Sequence, residues 1–197
     1  LEQLAIKANR LDEFAGPVGE HAEEAGDLAR ASAWYFQAGS HAKVRGALAE
    51  ARSYYERALY LLPEDDLHGR WKILLEHDEV LGFLSDTQAR LVEDELLVSL
   101  AQALGRQDYL AEAYDRQGNY LHYCGENLRA AGLLRKAYDH AMAVEDPGLA
   151  CRALGMLIIT LTRLGEMDEA GRWAEQVLEL AQRSGDDLTL AKGLSNL

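Results

Sequence analysis

Residues 110–146 and 150–186 can be laid over one another at an offset of 40, and their small and turn-forming residues coincide. Gly125 falls on Gly165, Glu126 on Glu166, Ala130 on Ala170, Ala141 on Ala181 and Asp146 on Asp186. Ala113 falls on Ala153, and Ala111 on Cys151 and then on Ala191. Shifting back by the same step places Ser85 and Asp86 on Gly125 and Glu126. This recurrence limits the fold more than any other feature. A unit of about 40 residues cannot bury an apolar face alone, so it must stack on its copies. The units are an irregular stretch at 1–66, then 67–106, 107–146 and 147–186, with a further one begun at 187–197. No linker rich in Pro, Gly or Ser interrupts them, so we read one continuous array over 1–197.

The repeat is filled by helix. Leu (34) and Ala (30) far outnumber Val (7), Ile (4) and Thr (4), and only 3 prolines interrupt the chain. Apolar residues recur at helical spacing. They predict helices over 2–15, 17–26, 28–45, 47–62, 67–84, 86–104, 108–124, 126–144, 147–164, 166–184 and 187–197. Short breakers separate these, among them AGD at 25–27, LPEDD at 62–66, CGE at 124–126 and LGE at 164–166. Glycine ends one helix in the left-handed conformation, and an acid suits the start of the next. Asp146 before Pro147 reads as an N-cap followed by proline at the first helical position.

Residues 32–65 form one such unit. Tyr35, Ala38, Gly39 and Ala42 line one helix, Gly46 makes the turn, Ala51, Tyr55 and Ala58 line the next, and Pro63 ends it. Alanines seven apart let a second helix axis approach to ~8 Å, the short end of the packing range. The intervening aromatic fills the groove beside them.

That spacing resembles the tetratricopeptide repeat, whose second helix carries Ala, aromatic, Ala and a closing Pro. Ala38 stands where that family has Leu, and Ala42 where it has Tyr. Two later units fit similarly: Tyr114, Gly118, Leu121, Gly125, Ala130, Leu134 and Ala137, then Leu154, Leu161, Gly165, Ala170, Ala174 and Val177, with Ile158 where Gly is usual. The resemblance implies an all-α, right-handed α-α superhelix (solenoid) of antiparallel helix pairs. It implies a peptide or partner protein on the concave face, which the first helices of each pair line. Carried onto this chain, that face includes Asp115, Asn119, His122, Arg152, Ile159 and Arg163. The Lys/Asn arrangement by which some relatives clamp a terminal carboxylate is matched only at Asn119.

Residues 10–59 are also similar to the start of the helical-repeat region in large bacterial signalling proteins. Those carry an ATPase module upstream, with an adenylate or guanylate cyclase or a DNA-binding domain. The resemblance implies a regulatory or sensor arm of a cytoplasmic signalling protein, and the chain, which starts at Leu1, reads as a piece of a longer one.

The remaining chemistry is sparse. A net charge of −13 opposes binding to nucleic acid or to an anionic membrane surface. No apolar run reaches the ~20 residues of a membrane span. Neither G-x-x-x-x-G-K-[ST], H-E-x-x-H nor C-x-x-C is present. His122 and Cys124 lie two apart, so on a helix they face apart. Cys124 and Cys151 differ by about nine residues of helix height, ~13 Å, too far for a disulfide. We therefore expect no catalytic, cofactor or metal residues and no enzyme. The expected partner is a protein or peptide. A second copy of the chain (a homo-oligomer) and a small molecule between helices are the alternatives.

Overall fold

The structure is a computed structural model that describes residues 11–184. Among the described residues it holds nine helices and no strand. They are α1 (Leu11–Glu24), α2 (Leu28–Val44), α3 (Leu48–Leu61), α4 (Leu67–Phe83), α5 (Thr87–Leu104), α6 (Gln107–Tyr123), α7 (Asn127–Ala143), α8 (Pro147–Leu164) and α9 (Met167–Ser184). The expected helix over 187–197 lies outside the described residues, as does most of that over 2–15. The chain divides into two compact units, meeting in sequence between Leu100 and Ala101 within α5.

Seven of the eight described joints share one mechanism. Each places a residue in the left-handed region: Gly26, Gly46, Ser85, Gly105, Gly125, Glu145 and Gly165, with φ between 55° and 84°. The next residue then closes the helix behind it, its N–H reaching back five residues at 2.9–3.2 Å, as Glu126 does to Leu121 and Asp146 to Ala141. The carbonyl of that same residue accepts the first hydrogen bond of the following helix, from Ala130 and Ala150 in these two cases. Aspartates in this place also cap. Asp27 accepts from Arg30 N, Asp86 from Ala89 N and Asp146 from Leu149 N. Glu126 makes no side-chain cap. Acids are thus not equivalent here: the shorter Asp side chain holds its oxygen against the N3 amide. The joint between α3 and α4 differs, because Leu62 is extended (ψ 135°) and Pro63 follows.

Glu145, at φ 55°, occupies a site filled by glycine in the joints on either side of it. The left-handed conformation costs an L-residue ~1–2 kcal/mol, and glycine returns ~0.4–1 of that through the unfolded chain. Glu145→Gly should therefore raise stability by about 0.5–1 kcal/mol, read from the urea midpoint at unchanged slope. A lower midpoint would contradict it.

In the N-terminal unit the core joins Ala22, Ala31, Tyr35, Ala42, Ala51, Tyr55, Ala58, Leu61, Ile73 and Val80. Ala51, Tyr55 and Ala58 are fully buried, and Ser32 Oγ donates to the Ala58 carbonyl at 2.8 Å. The expected break near residue 16 does not occur, and α1 runs through Pro17. Gly16 and Gly19 are buried there: a Cβ on Gly16 would stand 2.5 Å from the Tyr54 hydroxyl, and one on Gly19 3.2 Å from the Tyr35 ring. These close contacts hold the helix despite the ~3 kcal/mol cost of an interior proline.

In the C-terminal unit Leu134, Leu154, Leu157, Leu161 and Val177 form the centre of the core. Here α8 packs on α6, α7 and α9. It is the one described helix long and apolar enough by composition to cross a membrane, and half of it is buried inside this unit. Both cysteines are free, Cys124 exposed and Cys151 buried. Within the N-terminal unit α1 to α4 touch in order, and within the C-terminal unit α6 to α9 do; first helices also touch across their partners, α2 meeting α4 and α6 meeting α8.

Candidate functional site

The contact between first helices creates a distinct face in each unit. In the C-terminal unit the six residues expected from the sequence lie on the two helices of that contact, Asp115, Asn119 and His122 on α6 and Arg152, Ile159 and Arg163 on α8. Asp115, on α6, is 4% exposed, and its Oδ2 accepts from Arg152 Nε at 2.7 Å across to α8. Arg152 also donates to Glu112, which accepts from Arg116 Nε at 2.8 Å. Asp115 Oδ1 is buried and has no hydrogen-bond partner. Burial pushes the Asp115 carboxyl above the usual carboxylate range, and Arg152 only partly offsets it. Burial acts on Glu112 in the same sense, but there Arg152 and Arg116 win and the pKa falls. Burial also opposes the charge of Arg152, and its two acids more than restore it.

His122 lies deeper still, at 2% exposure. Thr160 Oγ1 donates to the Met156 carbonyl at 2.7 Å, so the 2.9 Å contact between Thr160 Oγ1 and His122 Nδ1 has the ring N–H as donor. Burial lowers the His122 pKa, and the nearby Arg163 adds to this. The ring is therefore a neutral strut between α6 and α8. Asn119 is half-buried and donates back to the Asp115 carbonyl at 2.7 Å. Ile159 is half-buried and Arg163 exposed. The structure thus brings Asp115 and Arg152 together as an ion pair, sinks Asp115 and His122 below the surface, and leaves Asn119, Ile159 and Arg163 facing outward.

Sequence reasoning missed the partners Glu112, Arg116 and Thr160. One signal was available. Glu112 and Arg152 are 40 residues apart, the repeat offset, and so occupy equivalent places with opposite charge. Another offset recurs as well, for Arg57 with Glu23 and Arg135 with Glu169 each pair at 34 residues.

The N-terminal unit has a face of a different kind. Between α2 and α4 lies a groove of about 450 Å³. Ala29, Ala33, Phe36 and Gln37 line it from α2, and Gly69, Lys72 and Ile73 from α4, with Leu62 and Asp66 at the joint. Gly69 keeps it open, since a Cβ there would meet Asp66 Oδ2 at 2.5 Å and Leu62 Cδ2 at 2.8 Å. Asp66 Oδ1 caps α4 by accepting from Gly69 N at 2.9 Å. The Lys72 ammonium stands 4.6 Å over the Phe36 ring. Nothing in the sequence reading pointed here. Two exposed alanines four apart, Ala29 and Ala33, were the available sign. Among the described residues no group of three or more His, Cys, Asp or Glu is arranged to hold a metal.

No protein-family model matches this chain, and no curated protein matches it. Solved structures do. The apo form of RapI aligns with a TM-score of 0.74 at 13% identity, over 92% of this chain and 74% of that one. A Rap protein complexed with competence and sporulation factor aligns at 0.68 and 16% identity, over 93% of this chain but only 57% of its own length. YrrB, described as a TPR protein with an unusual peptide-binding site, aligns at 0.59 and 19% identity, over 96% and 95%. These likenesses establish the fold class: an all-α repeat of antiparallel helix pairs, of the tetratricopeptide type.

Proposed function

We propose that the chain is a protein-interaction scaffold that holds a peptide or partner segment against its first helices, as the regulatory arm of a larger cytoplasmic signalling protein. The carrying observation is the face itself. First helices pack in pairs yet leave Asn119, Ile159 and Arg163 outward in one unit and an open groove in the other. Two solved neighbours support the reading: a Rap protein is described complexed with competence and sporulation factor, and YrrB as a TPR protein with an unusual peptide-binding site. The similarity of residues 10–59 to signalling-protein repeats supports the wider context. That the pairs form one continuous array, and that the six first-helix residues belong to its binding face, are parts of the same proposal. Binding would come from shape and hydrogen bonding spread over several helices.

The test is to select peptides from a random display library against the chain and measure their affinity for the triple variant Asn119→Ala, Ile159→Ala, Arg163→Ala. We expect a loss of about tenfold, ~1.4 kcal/mol. Unchanged affinity removes the α6–α8 face from the site. Failure of any peptide to enrich over an unrelated helical protein overturns the scaffold reading.

A further inference from the structure

We infer that the groove between α2 and α4 takes a bulky apolar side chain with a carboxylate two residues away, held by Lys72. The inference rests on the scaffold reading and names the ligand chemistry for the N-terminal unit.

The volume argues for a ligand. About 450 Å³ is within the ~300–1,000 Å³ range of small-ligand sites. Phe36 and Ile73, with the exposed Ala29 and Ala33, give it mostly apolar walls, and the hydroxyl of the buried Ser32 is spent on the Ala58 carbonyl, so it favours a side chain that loses water.

Charge then selects the neighbour. The chain carries 33 acidic against 20 basic residues, and many of the described cations already meet carboxylates. Lys43 meets Glu76 and Glu79, Arg52 meets Glu56 and Asp86, and Arg135 meets Glu169. Lys72 is exposed, and among the described residues its ammonium meets an aromatic face and no carboxylate. It stands at the rim of the groove with a charge to offer. The opposite sign marks the other end, where Asp66 caps α4 six residues earlier, ~9 Å along the axis. A ligand carboxylate is repelled from that end and drawn to this one. In an extended segment, residues i and i+2 point the same way ~7 Å apart, so one side chain fills the cup while the next on that face reaches Lys72.

The probe is a capped pentapeptide, Ser-Phe-Ser-Asp-Ser, with its Asn-for-Asp twin, titrated into the ¹⁵N-labelled full chain. Amide shifts are expected at Ala29, Ala33 and Gly69. The acid peptide should bind about threefold more tightly than its twin, the modest value of an exposed ion pair. Lys72→Glu should reverse that order. Ala33→Trp, an exposed helix position, should abolish the shifts while the circular dichroism stays unchanged. No shift at those amides at about 10 mM peptide overturns the inference, since a ligand with a Kd of ~1 mM would nearly saturate there. Equal binding of the twins, or no response to Lys72→Glu, overturns it too. Shifts confined to Asn119, Ile159 and Arg163 would sink the groove and leave the scaffold reading standing.

Discussion

Tyr55→Ala is expected to lower the unfolding free energy by about 3–5 kcal/mol, the range for deleting a buried aromatic. Tyr55 is fully buried, and its ring lies edge-on to His77 at 6.3 Å and tilted against Phe36 at 5.8 Å. It fits against Gly39, where a Cβ would come within 2.6 Å of Tyr55 Cε1. The notch and the ring form one contact, so both sides can be tested. Gly39→Leu should cost about 3 kcal/mol through overpacking, even after the ~1 kcal/mol that helix propensity returns. The double variant Tyr55→Ala/Gly39→Leu should cost less than the sum by ~0.5–3 kcal/mol, because the leucine enters the space the ring leaves. Tyr55→Phe removes only the hydrogen bond to Ser40 Oγ at 3.2 Å, about 1 kcal/mol. Urea unfolding of the four variants decides it. Strict additivity of the first two would show that notch and ring do not meet.

Arg152→Ala should produce a loss that depends on pH. The guanidinium is the hydrogen-bonded partner of the buried Asp115 carboxylate and one of two for Glu112. Breaking a fully buried pair costs ~3–5 kcal/mol; Arg152 is partly solvated, so about 2–3 kcal/mol at neutral pH is expected. The sign follows from the two acids. Asp115 has its pKa raised by burial, and losing Arg152 raises it further. Such a group contributes stability below its unfolded pKa and loses it as pH rises through the folded value. Glu112 has its pKa lowered in the intact protein, so what it contributes at neutral pH disappears on acidification. Both make the variant worst near pH 7; on acidification the Asp115 part returns first, complete as pH approaches the ordinary carboxylate range of ~4, and the Glu112 part returns only below it. Asp115→Asn in the Arg152→Ala background should recover most of the loss at neutral pH. A difference between variant and parent that is flat from pH 4.5 to 8 would contradict this account.

The helix pairs were legible because their signals are local and repeated. A glycine with positive φ, an aspartate that can cap and an alanine where helices close each leave a mark at a fixed place, so Gly125, Gly165, Asp146, Ala51 and Ala58 could be read directly. Pro17 misled because its local cost is outweighed by contacts that Gly16 and Gly19 make with distant tyrosines. The candidate face was legible only as a set of helix positions. Helical spacing places Asp115 and Arg152 toward each other but does not say that they will consume one another's charge, nor that His122 will lie below the surface. The α2–α4 groove was invisible for a related reason. It is a space, formed where Gly69, Ala29 and Ala33 lack bulk, and small residues look alike whether they admit a helix or leave a hollow.

The seven shared joints make the chain a ruler. Where one residue closes a helix and opens the next, no slack is left for an added or lost residue. A deletion of one would turn the following helix by about 100° and trade its buried stripe for its wet one. Change in length is thereby restricted to whole helices, much as a zip can be shortened only by the tooth. The marks run 26, 46, then 85, 105, 125, 145 and 165: steps of twenty except for the thirty-nine that spans the proline joint. That joint is where the ruler falls one residue short of two full steps, and it is also where Leu62 and Asp66 edge the groove.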